Sequence, residues 1–339
     1  MPTALITGAA GSIGCHVVAY LLDNTAWNFV LVDSFRHMGE APRLVEVMKS
    51  KHRRKQRVKV ITHDLTTPFS PREMSQIGSI DYIFNLASMS DVYDSLENPV
   101  PFVQNNVAVI LNVLEFARAT KPSVFIQVST DEVYGPTDGT FLHKEWDPIV
   151  PSSPYSASKA AQESIAISYW RAYNVPLVIV NLMNNFGEMQ SPKKFPVIVQ
   201  RKVSDGEPVV IHGSPENDGS RFYIHSSNTA DALLFLVCGP EPYLHVPGKM
   251  DKPDRYNIPG DAQVSNMEMA RLVAGYMGKP LDVRYEDFQN ARPGHDRHYG
   301  LNGQKLHDFG WKSPRGFHER LQETVRWQME HPEWLKSSS

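Results

Sequence analysis

The chain has 339 residues, of which 41% are hydrophobic and 21% charged, and a formal net charge of -3, enough for one two-lobed unit or two modest domains around a substantial core. That balance excludes a general pull toward nucleic acid or an anionic membrane, and no 18-residue apolar run stands out as a membrane span. Two cysteines, Cys15 and Cys238, stand far apart, and the thirteen histidines form no HExxH or paired ligand set, so the expectation is a reducing, cytoplasmic compartment and no metal.

Short, nearly continuous apolar runs recur at Thr3 to Thr7, Asn28 to Asp33, Val58 to Asp64, Asp81 to Ala87, Ser123 to Ser129 and Pro176 to Leu182. Strands buried on both faces read this way. Between several of them lie helix-length stretches with apolar spacings of three and four, at Ser12 to Leu22, Val103 to Ala119 and Ser156 to Tyr173. The alternation predicts an α/β fold, a Rossmann-type doubly wound parallel sheet covered by helices on both faces. The basic run from Lys49 to Arg57 reads as a solvated helix end and loop.

After about Asn185 the chain is richer in Pro, Gly, His and charged residues, and strand signals such as Val209 to His212 and Arg255 to Ile258 read as isolated. This predicts a smaller, loop-rich α/β substrate lobe ending in helices at Ser265 to Met277 and Pro314 to Glu330. The expected division is a Rossmann domain over 1–185 and a second lobe over 186–335, with 221–240 crossing back to the first.

The first strand runs into Thr7-Gly8-Ala9-Ala10-Gly11-Ser12-Ile13-Gly14 and then the first helix, as a dinucleotide fingerprint requires. Gly8 permits the turn, Gly11 lets backbone approach a pyrophosphate, and Gly14 lets helix pack on sheet. The free N–H groups of the helix start face the diphosphate. Asp33 ends the second strand, where a carboxylate accepts from adenosine ribose hydroxyls and repels a 2'-phosphate, favouring NAD over NADP. Arg36 is the one residue nearby that suits such a phosphate. Asp64 and Leu65 reach the adenine, or Asp64 simply caps a turn.

Further along, Ser129-Thr130-Asp131-Glu132-Val133-Tyr134-Gly135 sets two adjacent carboxylates just after an apolar strand, and Tyr155-Ser156-Ala157-Ser158-Lys159 spaces a phenol and an ammonium for one helix face. The ammonium is expected to draw the phenol pKa down, so that Tyr155 takes a proton from an alcohol as hydride leaves the same carbon.

These segments, with LVDSF around Asp33, ENPVPFVQNNV from Glu97, PSSPYSASKAAQE from Pro151, NNFG from Asn184, YNIPG from Tyr256 and RPGHDRHYGL from Arg292, cover almost the whole chain. It resembles the extended short-chain dehydrogenase/reductase family, and within it the dTDP-glucose 4,6-dehydratases. The glycine and Tyr-x-x-x-Lys motifs are shared widely there; the Thr-Asp-Glu triplet and RPGHDR are narrower and set dehydratases apart from epimerases.

The resemblance implies bound NAD, held by Gly8, Gly11, Ser12, Ile13, Gly14, Asp33, Ser34, Arg36, Asp64, Leu65, Ala87, Asn105, Tyr155, Lys159 and Asn185. It implies a lyase in which Tyr155 and Lys159 serve oxidation at C4 of a nucleoside diphosphate hexose. Glu132 then removes the C5 hydrogen, Asp131 protonates the departing C6 hydroxyl, Thr130 binds the C4 oxygen, and hydride returns to C6. For the substrate it points to Ser90, Thr130, Asn184, Asn185, Arg221, Asn257, Arg292, His295 and Arg297, arginines being suited to a diphosphate. It also implies a homodimer built on the helices near Val103 to Ala119 and Ser156 to Tyr173.

Departures from the family pattern cluster near the sugar. Ser90-Asp91-Val92-Tyr93-Asp94-Ser95 stands where Ser-His-Val-Asp-Arg-Ser is typical, Asn181 where Arg is common, Met183 where Ser is usual, and Asn85 where His is frequent. The base and hexose thus remain open among dTDP-, UDP-, GDP- and CDP-sugars, dTDP-glucose being favoured. Two competing readings are a nucleotide-sugar 4-epimerase, which needs neither Asp131 nor Glu132, and a catalytically silent NAD-binding regulator.

Overall fold

The computed structural model describes residues 1–37, 40–239, 251–287 and 298–336. Strands β1 (Thr3–Thr7), β2 (Asn28–Asp33), β3 (Val58–Thr62), β4 (Tyr82–Asn85), β5 (Val124–Thr130), β6 (Leu177–Leu182) and β10 (Asp254–Ile258) form one parallel sheet of seven, in the order β10-β6-β5-β4-β1-β2-β3. Successive side chains alternate between its faces. Ala4, Ile6, Phe29 and Leu31 enter one core with α1 (Gly14–Asn24), α2 (Glu40–Ser50) and α8 (Ser226–Cys238). Leu5, Val30, Val32 and Phe125 enter the other with α3 (Pro71–Ile77), α5 (Pro99–Thr120) and α6 (Pro154–Tyr173); the short α4 (Val92–Glu97) precedes α5.

The helices start and stop where local chemistry dictates. Ser153 and Ser156 form a capping box with Pro154 in the first turn of α6, which fixes the position of Tyr155 one residue later. Lys121 closes α5 in the left-handed conformation. By length and composition α5 is apolar enough to cross a membrane, with a mean hydropathy of 1.3 over 18 residues, contrary to the expectation that no such run exists. Its buried Val109, Ile110, Val113 and Leu114 pack into the core instead.

The basic run has a structural role. Lys51 and Arg54 pair with Asp23, and Arg57 donates to the carbonyls of Leu22, Thr25 and Trp27 at the C-terminus of α1. Its strand neighbour β3 is not buried on both faces as its apolar run suggests: it is one of the sheet's two edge strands, with Lys59 and Val60 exposed.

The second lobe holds a three-stranded sheet of β11 (Ala262–Ser265), β9 (Ser220–His225) and β7 (Asn184–Phe186), and a pair of β8 (Val209–His212) with β12 (Val283–Glu286). Around them stand α7 (Phe195–Asp205), α9 (Asn266–Met277) and α11 (Phe317–Glu330), with the short α10 (Gln304–Asp308) beside β10. Two strands expected to be isolated are therefore paired, β8 with β12 and β10 with β6. Of the segment expected to cross back, β9 stays in the second lobe while α8 packs on α1.

An ion pair fastens β10 to the first lobe. Arg255 donates to Glu163 of α6 at 2.6 Å, both fully buried, and its other nitrogen reaches the Glu145 carbonyl at 3.1 Å. Asn181 donates to the same carboxylate at 2.8 Å. Arg255→Met leaves that carboxylate buried without its cation, and urea unfolding is expected to show a loss of about 3–5 kcal/mol. Adding Glu163→Met to it is expected to restore most of the loss.

Candidate functional site

The strand order reverses between β4 and β1, and at such a switch point the carboxyl ends of the strands open a crevice. Here it is a cleft of about 990 Å3 between the lobes, lined from Gly8 in the first turn to Tyr299 in the second lobe.

The glycine turn forms the floor. Gly8 adopts φ +63° and donates to the Val32 carbonyl at 3.0 Å, and Gly11 donates back to Gly8. A Cβ on Gly14 would lie 2.0 Å from the Gly8 carbonyl oxygen, so only glycine lets α1 approach this closely. Ser12 and Ile13 complete the lining.

Asp33 anchors the adjoining corner. Its carboxylate accepts from the backbone N–H of Ala10 at 2.9 Å and of Phe35 at 3.0 Å, joining the second strand to the glycine turn. Beside it, burial and the Asp33 charge push the Glu40 carboxyl up to about 7. Sequence reasoning passed over Glu40, which opens the helix whose end it read at Lys49. Arg36 donates to Asp64 at 2.9 Å and to Asn105 at 3.1 Å, so its charge faces a carboxylate. Asp64 also accepts from Thr66 as a turn cap, and Ser34, Leu65 and Ala87 line the same end.

Opposite stand the acid–base groups. Thr130, the last residue of β5, donates to Asp131 at 2.9 Å and accepts from the Glu132 N–H at 3.4 Å as the 3-10 turn Asp131–Val133 begins. Burial pushes the Asp131 carboxyl up to about 6, against the Thr130 hydrogen bond and the charge of Arg221. Glu132 is half-buried in the cleft wall. Tyr155 and Lys159 line the same cleft, the Tyr155 hydroxyl hydrogen-bonded to the Thr130 side chain, and the Tyr155 N–H donates to Ser95 at 3.3 Å.

The expected pull of Lys159 on the phenol is not what the geometry gives. Burial, Glu132 and Asp131 push the Tyr155 hydroxyl above its ordinary value, with only the Thr130 hydrogen bond opposing them. Lys159 turns two donors to the Val128 carbonyl and Gln162, at 2.8 and 2.7 Å, and burial brings its ammonium down to about 8.

On the second-lobe side the cleft takes in Ser90, Asn184, Asn185 and Arg221, the last with its guanidinium 4.9 Å from the Tyr299 ring centre. Asn257 sits elsewhere: fully buried in β10, it donates to the His143 carbonyl and accepts from Tyr134. Arg292, His295 and Arg297 lie outside the described residues. Of the altered positions, Asp91 caps α4, Asp94 pairs with Lys193 at 3.0 Å, and Tyr93 stands exposed at the rim. Lys194, Arg201, Lys202, His212 and Asn266 also line this half and were missed. The Lys193-Lys194 pair just after NNFG was the available signal.

Gly14→Ala, by driving a methyl into the Gly8 carbonyl, is expected to yield folded protein that releases no dinucleotide on denaturation, read by absorbance at 260 nm against the parent.

Known proteins match this arrangement along their whole length. The family model for GDP-mannose 4,6 dehydratase fits residues 5–324. A dTDP-glucose 4,6-dehydratase of Neisseria meningitidis serogroup B is 32% identical over 99% of this chain and 96% of its own. The crystal structure of the dTDP-glucose 4,6-dehydratase DesIV from Streptomyces venezuelae, with NAD bound, superposes with a TM-score of 0.85 at 27% identity, covering 98% of this chain and 100% of that one. A Thermus thermophilus UDP-glucose 4-epimerase complexed with NAD gives 0.80 at 25% identity, over 96% and 98%. With its glycine turn, Asp33 and Tyr155–Lys159 pair in one cleft, the chain belongs to the GDP-mannose 4,6 dehydratase family, within the extended short-chain dehydrogenase/reductases and similar to their dTDP-glucose 4,6-dehydratases.

Proposed function

We propose that this protein converts dTDP-glucose to the 4-keto-6-deoxy sugar. It is an NAD-dependent nucleotide-sugar 4,6-dehydratase, a hydro-lyase; the base and the hexose are the proposed part. One observation carries the reading: Thr130, Asp131 and Glu132 share a single cleft with Tyr155 and Lys159. An epimerase has no use for the two carboxylates.

The residues present fit NAD. The glycine turn leaves backbone room for a pyrophosphate, and Asp33 stands where ribose hydroxyls donate. NAD held by the glycine turn and Asp33 would supply the hydride acceptor and donor for the two redox steps, and its positive charge would favour ionisation of Tyr155.

The chain's own groups do the rest. Tyr155 removes the C4 hydroxyl proton, with Lys159 supplying positive charge at the cleft wall, and Thr130 holds the C4 oxygen. Oxidation at C4 makes the C5 hydrogen acidic, and Glu132 takes it as general base. Asp131 delivers its proton to the departing C6 hydroxyl. Burial suits it to this, since a carboxyl near 6 holds a proton at far higher pH than an exposed one. Arg221 and Lys194 provide cations for the diphosphate.

Purified protein is expected to turn dTDP-glucose into a product absorbing in alkali. Asp131→Asn and Glu132→Gln should each slow product formation by about 10²–10⁴-fold while C4 oxidation persists, seen as absorbance of reduced cofactor at 340 nm. Unimpaired turnover in both variants would favour the epimerase. Because Asp131 must be protonated, its titration from the ordinary carboxylate range up to about 6 predicts that the elimination rate falls as pH rises past that value. Rapid-quench sampling across pH checks this.

A cytoplasmic homodimer completes the proposal. Val100, Val103 and Leu111 of α5 and Tyr173 of α6 are exposed, an apolar surface suited to packing two helices against the same two of a second copy. Light scattering is expected to give twice the mass of one chain; a monomeric mass would overturn it.

A further inference from the structure

Gln162 takes no part in the chemistry above, yet its side chain is fully buried one helical turn from Lys159. Its carboxamide oxygen accepts from the Lys159 ammonium at 2.7 Å, and its nitrogen donates to the Asn106 carbonyl of α5 at 2.8 Å. A backbone carbonyl only accepts, so the nitrogen must face Asn106 and the oxygen must face Lys159.

The same oxygen receives the Gln127 carboxamide at 3.2 Å. Gln127 is oriented in turn, donating to the Val128 carbonyl at 3.0 Å and accepting from Asn85 at 2.7 Å, and Asn85 accepts from the Thr7 hydroxyl at 2.6 Å. A line of buried hydrogen bonds therefore runs from the end of β1, across β4 and β5, to the lysine on α6. Thr7 also receives the N–H groups of Leu86 and Ala87 where the dinucleotide turn begins.

The charged groups around Lys159 leave this neutral acceptor a defined task. On its own helix are Tyr155 and Glu163, whose carboxylate is occupied by Arg255 of β10 and by Asn181 of β6. From the turn after β5 come Asp131 and Glu132, while β5 itself and α5 present uncharged groups, the Val128 carbonyl and Asn106. We propose that Gln162 is the positioning residue of Lys159, holding the ammonium in place at the cleft wall with an acceptor that carries no charge and so leaving its own charge uncancelled.

A carboxylate at this position would satisfy the ammonium but cancel its charge, and an apolar side chain would leave a buried cation short of a hydrogen bond. The two changes therefore act oppositely on Lys159. Removing the acceptor lowers the pH at which the lysine loses its proton; adding a negative charge raises it.

The inference rests on reading Tyr155 and Lys159 as the oxidation pair, and its test separates the two. In purified protein with its bound cofactor and lysine labelled with 13C at Cε, the Lys159 resonance is the one lost in Lys159→Arg. Gln162→Met is expected to lower its titration midpoint by about one pH unit, and Gln162→Glu to raise it by about one. The alkaline limb of C4 oxidation with dTDP-glucose should move the same way in each. Should the methionine variant fail to fold, the glutamate variant decides by itself. Midpoints unchanged from the parent would overturn the inference even where the parent turns over dTDP-glucose. Midpoints that move in a protein inert toward every nucleotide hexose would uphold it and sink the functional reading.

Discussion

Strand order in the large sheet governs everything else. Because the chain leaves β1 in one direction for β2 and β3 and later resumes on the other side with β4, β5 and β6, the helices after β1 and β4 depart to opposite faces. The carboxyl ends between them stay uncovered. Thr7, Asp33, Asn85, Thr130 and Leu182 are all terminal strand residues, so one edge delivers the glycine turn, the Asp33 carboxylate and the Thr130–Glu132 triplet to a common opening. The second lobe then closes the other side with Arg221 and the lysines after β7.

Within that opening a single physical cause tunes groups of opposite kind. Withdrawal from water disfavours charge, which raises the carboxyl of Asp131 and lowers the ammonium of Lys159 toward the same middle range. Both become able to exchange protons near neutrality. Tyr155 is pushed the other way, and its basicity depends on positive charge arriving next to it.

Much of this was legible in residues alone. The apolar runs of β1, β2, β4, β5 and β6 are continuous because both faces are covered, and the glycines, Asp33, the Thr130–Glu132 triplet and the Tyr155–Lys159 spacing depend on local geometry that short segments encode. What escaped depends on distant pairing. β10 reads as isolated since its partner lies more than seventy residues earlier, and Asn257, taken from YNIPG as a ligand group, is turned into the core by the register of that strand. Lys194, Arg201 and Lys202 resemble any solvated charges until the lobe folds around them. The effect of Lys159 on Tyr155 failed for another reason: helical spacing places two residues on one face without saying which carbonyls claim the ammonium.

The late arrival of β10 has a consequence for biosynthesis. Strand β6 is finished at Leu182, but its outer edge is covered only when Asp254–Ile258 pairs with it, and the buried Glu163 finds its cation only with Arg255. A nascent chain that has emerged as far as the second lobe therefore carries an open sheet edge and an unneutralised carboxylate in its first. About three quarters of the polypeptide must therefore emerge before β10 replaces β6 as the outermost strand and Glu163 gains its cation, so truncated or stalled products are the species left with a buried carboxylate lacking its arginine.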